Sequence, residues 1–115
     1  MQTVRTDSWS LAGPEVMEIE GRLDSGTAAY VEEDVLLCIR SGARKMVIDC
    51  GSLTYMSAAG LRTIMKLAQN MKLADGDFAV CGLQPQVHEM FVACGIDALI
   101  PIFGDQREAV AAFVG

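Results

Sequence analysis

The chain predicts an α/β layer fold: a mixed, mostly parallel sheet of four to five strands with an antiparallel hairpin at the amino end, flanked by about four helices. Three observations carry this expectation. Segments of period two fill the amino end, short apolar runs punctuate the middle, and apolar positions of helical period separate those runs. Strand followed by helix, repeated, requires right-handed parallel crossovers.

Taken in order, residues Gln2 to Ser10 alternate loosely and read as a first strand. Leu11-Ala-Gly-Pro14 has turn chemistry, and Glu15-Val-Met-Glu-Ile-Glu20 alternates strictly, which completes a hairpin with one wet face. Gly21-Arg-Leu-Asp-Ser-Gly-Thr27 reads as a loop in which Asp24 or Ser25 caps the next helix. That helix carries Ala28, Val31, Val35 and Ile39 inward and Glu32, Glu33 and Asp34 outward, and Ser41-Gly42 ends it. Lys45-Met-Val-Ile-Asp49 is a buried strand. After a small-residue turn comes a helix from Ser57 to Leu73, with Leu61, Ile64, Met65, Ala68 and Met71 on its apolar face. Asp75-Gly76 turns into a third apolar strand, Asp77-Phe-Ala-Val-Cys81. Pro85 opens another helix with Val87, Met90, Phe91 and Cys94 inward, and Gly95 stops it. Ala98 to Phe103 reads as an edge strand because Pro101 cannot donate to a ladder, and a last helix from Asp105 carries Ala109, Val110 and Phe113.

Composition narrows the function classes. With 115 residues the chain forms one domain, 1–115, and its hydrophobic fraction of 51% and mean hydropathy of +0.30 exclude general disorder. No apolar run reaches the about 18 residues of a membrane span, and the amino end lacks the apolar core of a signal peptide. A cytoplasmic protein without direct membrane insertion is expected. The net charge of −6 argues against nucleic acid, which demands a basic face. Cys38, Cys50, Cys81 and Cys94 form no C-x-x-C pair and sit among apolar residues, so they read as reduced thiols in or near the core. His88 has no second ligand nearby in sequence. No nucleophile–base set, phosphate loop or carboxylate pair is visible, so the residues point to no enzyme, no cofactor and no metal.

The most informative stretch is Asp49 to Arg62, where a buried strand passes through small residues into an amphipathic helix. Ser57 is placed to cap that helix, and Gly60 lets another backbone approach. A helix start of this kind is also a good place to add or recognise a phosphate.

At these residues the chain resembles the STAS family, the sulphate-transporter and anti-sigma-factor-antagonist domain, and is most similar to stand-alone bacterial anti-sigma factor antagonists. The likeness runs from about Met17 to Phe113. It rests on Gly21-Arg-Leu-Asp24 with Thr27-Ala28, Val47-Ile-Asp49, Tyr55-Met-Ser-Ala-Ala-Gly-Leu61, Val80-Cys-Gly82 before Pro85, and Phe91-x-x-x-Gly95-Ile-x-x-Leu-Ile100. The resemblance implies a STAS-like fold and a partner switch. Members of this kind bind a kinase-type anti-sigma factor, a histidine-kinase-like ATPase, which phosphorylates a serine at the start of the central helix. The unphosphorylated form captures the anti-sigma factor and frees a sigma factor.

The chain departs from that pattern where it matters most. The familiar turn reads Asp-Ser-Ser-Gly-Leu, with the phosphate on the serine before the glycine; here Ser57, Ala58 and Ala59 stand in those three places. Alanine has no hydroxyl. Three readings stay open: a domain held permanently in the binding state, Ser57 or less readily Thr54 as a displaced acceptor, or an accessory subunit of a lipid or other ABC-type transport complex. As a helix cap Ser57 is worth about 1 kcal/mol, and that reading comes first without excluding the other. The expected partner surface comprises Asp24, Ser25 and Thr27, then Tyr55, Met56, Ser57, Ala58, Ala59 and Gly60, and Arg62 pointing outward. Asp24 serves equally well as a helix cap, Tyr55 as a core residue and Arg62 as a solvated charge. Asp49 reads as a carboxylate bracing its own loop. A monomer is expected.

Overall fold

The computed structural model describes residues 3–6 and 14–114. The expected turn at Leu11–Pro14 and the outer parts of the expected first strand lie largely outside them. Among the described residues the elements run β1 (Thr3–Thr6), β2 (Glu15–Leu23), α1 (Ala28–Arg40), β3 (Lys45–Asp49), β4 (Leu53–Met56), α2 (Ala58–Leu73), β5 (Asp77–Cys81), α3 (Pro85–Ala93), a 3-10 turn (Ile96–Ala98), β6 (Ile102–Phe103) and α4 (Gln106–Val114). The sheet order is β1-β2-β3-β5-β6. β1 is antiparallel to β2, and every other pairing is parallel. The hairpin and the mixed, mostly parallel sheet with four helices are as the sequence predicts.

β3 and β5 lie in the middle of the sheet, covered on both faces. Their central residues Met46, Val47 and Ile48, and Phe78, Ala79 and Val80, are therefore buried without alternation. One face, with Met17, Ile19, Ile48 and Val80, packs on Val31 and Val35 of α1, Ile64, Leu67 and Met71 of α2, and Phe91. The other face, with Val16, Val47 and Cys81, packs on Ala109 of α4, flanked by Phe103, Val110 and Phe113. Asp105 caps α4 by accepting the Glu108 amide at 2.9 Å.

Four expectations need correction. Leu53–Met56 is a strand where the sequence reads as a turn, and it pairs with Gly21, Arg22 and Leu23, which are strand and not loop. Its burial runs in–out–out–in, so Leu53 and Met56 give no period-two signal. β2 thus has nine residues: its first half pairs with β3 and its last three residues with β4. The register shifts at Gly21, whose φ of 82° suits only glycine at low cost. Second, the edge strand shrinks to Ile102–Phe103, because Gly95 leads into the 3-10 turn. Third, the buried face of α2 is centred on Gly60, Ile64, Leu67 and Met71 with Thr63, while Met65 and Ala68 are only half-buried on its flank. Fourth, Cys94 is the exposed C-terminal cap of α3 and does not face inward; Cys50 and Cys81 are buried and Cys38 half-buried.

The unforeseen strand has a direct test. Leu53 is fully buried, so Leu53→Ala should cost about 2–5 kcal/mol in denaturant unfolding. A loss below about 0.5 kcal/mol, typical of a surface turn, would remove β4 from the core.

Candidate docking site where the second strand meets the second long helix

β2 and β4 end side by side, and the chain leaves them into the α1 loop and into α2. The Leu23 carbonyl is their meeting point. It accepts the Ser57 amide at 2.9 Å, and the backbone of Gly60 sits directly over it. A Cβ built on Gly60 would lie 2.4 Å from the Leu23 oxygen and 2.9 Å from the Leu23 side chain, so no larger residue fits without moving a strand. Ser57 is extended, with φ −89° and ψ 173°, and its Oγ accepts the Gly60 amide at 3.2 Å. The helix cap expected of Ser57 is present.

The neighbouring loop is wound around Asp24. Its Oδ1 accepts the Gly26 amide at 2.9 Å, and its backbone carbonyl accepts the Thr27 and Ala28 amides at 3.1 and 2.8 Å. Thr27 Oγ1 accepts the Asp24 amide at 3.0 Å and donates to the Arg22 carbonyl at 2.9 Å. The cap of α1 is Thr27, without a side-chain cap bond, so neither Asp24 nor Ser25 fills that role. The Gly26 N–H holds the Asp24 carboxyl below its ordinary pKa; partial desolvation opposes this, and the Arg22 guanidinium beside it adds to it.

Arg22 was not singled out by the sequence, yet it joins the two halves of the site. It stands opposite Tyr55 in the β2–β4 register, its guanidinium carbon lies 4.1 Å from the Tyr55 ring centroid, and its Nε is 3.3 Å from Asp24 Oδ2. Thr54 Oγ1 donates to the Gly21 carbonyl at 2.8 Å, a second tie between the strands. Behind the site, Lys66 of α2 reaches Glu32 of α1 at 3.0 Å.

Most of the expected surface is accessible. Ser25, Tyr55, Ala58 and Arg62 are exposed, with Tyr55 at 42%, while Asp24, Thr27, Ser57 and Ala59 are half-buried. Met56 and Gly60 are corrections. Met56 is 4% exposed and anchors β4 in the core, and Gly60 is buried against Leu23, so both shape the surface from below. Asp49 braces its own loop: Oδ1 accepts the Gly51 amide at 2.9 Å and Oδ2 the Gln106 side-chain amide at 3.1 Å. Burial holds the thiols of Cys50 and Cys81 protonated, the latter pushed up to about 12, first by desolvation and then by Asp49. Among the described residues no group of His, Cys, Asp and Glu is arranged to hold a metal ion. The assembled chemistry is an apolar and polar relief that includes two exposed arginines, Arg22 and Arg62.

Comparison with known proteins identifies the fold. The STAS domain model matches residues 11–109. A protein of Bordetella bronchiseptica, provisionally named anti-sigma factor antagonist BtrV, is 32% identical over 83% of this chain and 82% of its own length. The crystal structure of an anti-sigma factor antagonist from Mycobacterium paratuberculosis superposes with a TM-score of 0.89, at 19% identity, over 100% of this chain and 96% of that one. The Bacillus cell fate determinant SpoIIAA in its phosphorylated form matches with a TM-score of 0.75, at 14% identity, over 96% and 98% of the two chains.

Two substitutions separate the architectural role of Gly60 from the cap. Gly60→Ala should destabilise by about 1–3 kcal/mol or more, since the clash is with backbone, whereas Ser57→Ala should cost only about 1 kcal/mol. Equal melting temperatures for Gly60→Ala and the parent would contradict the close approach.

Proposed function

The chain belongs to the STAS domain family, and on that premise we propose that it is a regulatory binding protein, an anti-sigma factor antagonist that sequesters an anti-sigma factor of the histidine-kinase-like ATPase type. It acts as a cytoplasmic monomer and carries out no catalysis. The relatives named as anti-sigma factor antagonists support this reading. So does the observation that carries it: Tyr55, Ser57, Ala58 and Ala59 lie beside the loop from Asp24 to Thr27, brought together by the β2–β4 pairing and the approach of Gly60 to Leu23.

The docking surface consists of Ser25, Tyr55, Ala58, Ala59 and Arg62, with Asp24, Thr27 and Ser57 at its edges. The partner reads it by shape and hydrogen bonding. A phosphate at the start of α2 would add about two negative charges and bulk to this surface. Release would then need no refolding. Here Ala58 and Ala59 offer no hydroxyl, the Thr54 hydroxyl is committed to the Gly21 carbonyl, and Ser57 Oγ already accepts the Gly60 amide. The domain therefore stays in its binding form, and Ser57 serves as a cap.

Three measurements address separate parts of the proposal. Affinity capture from native cells with mass spectrometry should return a histidine-kinase-like ATPase. A transporter ATPase in its place would support the transport-subunit reading, and titration of the captured partner by calorimetry then tests the surface. Ala59→Glu should weaken binding about tenfold or more, because it puts an unpaired charge in the contact. Unchanged affinity would move the contact elsewhere. Incubation with ATP and the captured kinase should leave the intact mass unchanged; phosphate uptake that Ser57→Ala abolishes would overturn the constitutive state.

A further inference from the structure

Met65, Ala68, Gln69 and Lys72 recur at the i, i+3, i+4, i+7 spacing that places four side chains along one stripe of a helix. The stripe lies on the flank of α2, where Met65 and Ala68 remain half-buried. Across from it, Leu99 and Ile100 leave the 3-10 turn, and a cavity of about 290 Å³ separates the two walls. A second cavity of about 300 Å³ shares Ala68, Lys72, Leu99 and Ile100 and continues past Asp77 to Phe113, so the two form one trough. Leu99 is 72% exposed, an aliphatic wall left facing water.

The first cavity is mostly apolar, with Gln69 and Lys72 as its polar side chains, and Asp77 adds a carboxylate in the second. Among the described residues the Lys72 ammonium pairs with no carboxylate, in contrast to Lys66, which Glu32 holds on the opposite flank of α2. Apolar walls with one or two convergent polar groups are the usual composition of a small-molecule site. An unpaired cation at the rim fixes the sign of the head group.

We propose that this trough binds a small amphipathic carboxylate. Its aliphatic chain lies against Met65, Ala68, Leu99 and Ile100, and its carboxylate accepts from Lys72 and from the Gln69 side-chain amide. Asp77, at the far end, repels an anion there, which directs the chain from Lys72 toward Met65. Seven helical residues separate those two positions, about 10 Å, the reach of a medium-length saturated chain. A bare anion would gain nothing from the walls, and a neutral amphiphile nothing from the lysine. Lys72, which would hold the head group, lies fifteen residues beyond Ser57, about 22 Å along the helix, while Met65 at the other end of the trough is only three residues beyond Arg62.

Sodium decanoate, kept below its micelle concentration, and decanol as its neutral twin are the probes. Titration of ¹⁵N-labelled protein with decanoate should give saturable amide shifts at Ala68, Lys72 and Leu99. Lys72→Met, which keeps the aliphatic stem, should weaken decanoate about tenfold and leave decanol unchanged. Ala68→Phe, which fills the trough, should remove both. Shifts that fail to saturate or map elsewhere overturn the site. Decanol binding as tightly as decanoate, or full decanoate affinity in Lys72→Met, overturns the carboxylate.

Discussion

The close approach of Gly60 to the Leu23 carbonyl governs the rest of the structure. It sets the first turn of α2 against the end of β2, where the carbonyl accepts the Ser57 amide and leaves no room for a Cβ. Beside that contact, β4 lies along the last residues of β2 and Tyr55 stands opposite Arg22. The α1 loop, closed around Asp24, is then brought beside the entrance to α2. Both loops are thereby tied by hydrogen bonds to the strands beneath them.

Loops tied in this way suit a binding module that must present one relief repeatedly. The hydrogen bonds within the Asp24 loop are satisfied before any partner arrives, and so is the cap of α2. Little ordering remains to oppose association, which is how preorganised surfaces gain affinity. The same economy explains why Ala58 and Ala59 are tolerated. The helix start is held by Ser57 and by the Leu23 carbonyl, so the two positions are free of structural duty and their side chains decide only what a partner meets.

Much of this was legible in the sequence, and the failures share a cause. Period-two alternation marked β2, unbroken apolar runs marked β3 and β5, and helical spacing marked all four helices, because each of those signals is local. β4 was not legible: Leu53 and Met56 turn inward while Thr54 and Tyr55 turn out, and only the pairing with Gly21–Leu23 makes that pattern a strand. Arg22 escaped notice for the same reason, since its partner Tyr55 lies 33 residues away and meets it only through that pairing. Asp24 binds its own loop where a helix cap was expected, because Thr27 takes the cap position. Met65 and Ala68 have the spacing of core residues, yet among the described residues only Leu99 and Ile100 stand across from that flank of α2, and the sequence of a helix does not say what lies across from it.

Amide chemical-shift mapping of the labelled domain with whatever anti-sigma factor it captures tests the central claim most directly. The largest changes should fall at Ser25, Thr27, Tyr55, Ala58, Ala59 and Arg62, on both sides of the Leu23–Gly60 contact. Changes gathered instead on α4 and β6, with the entrance to α2 silent, would contradict it.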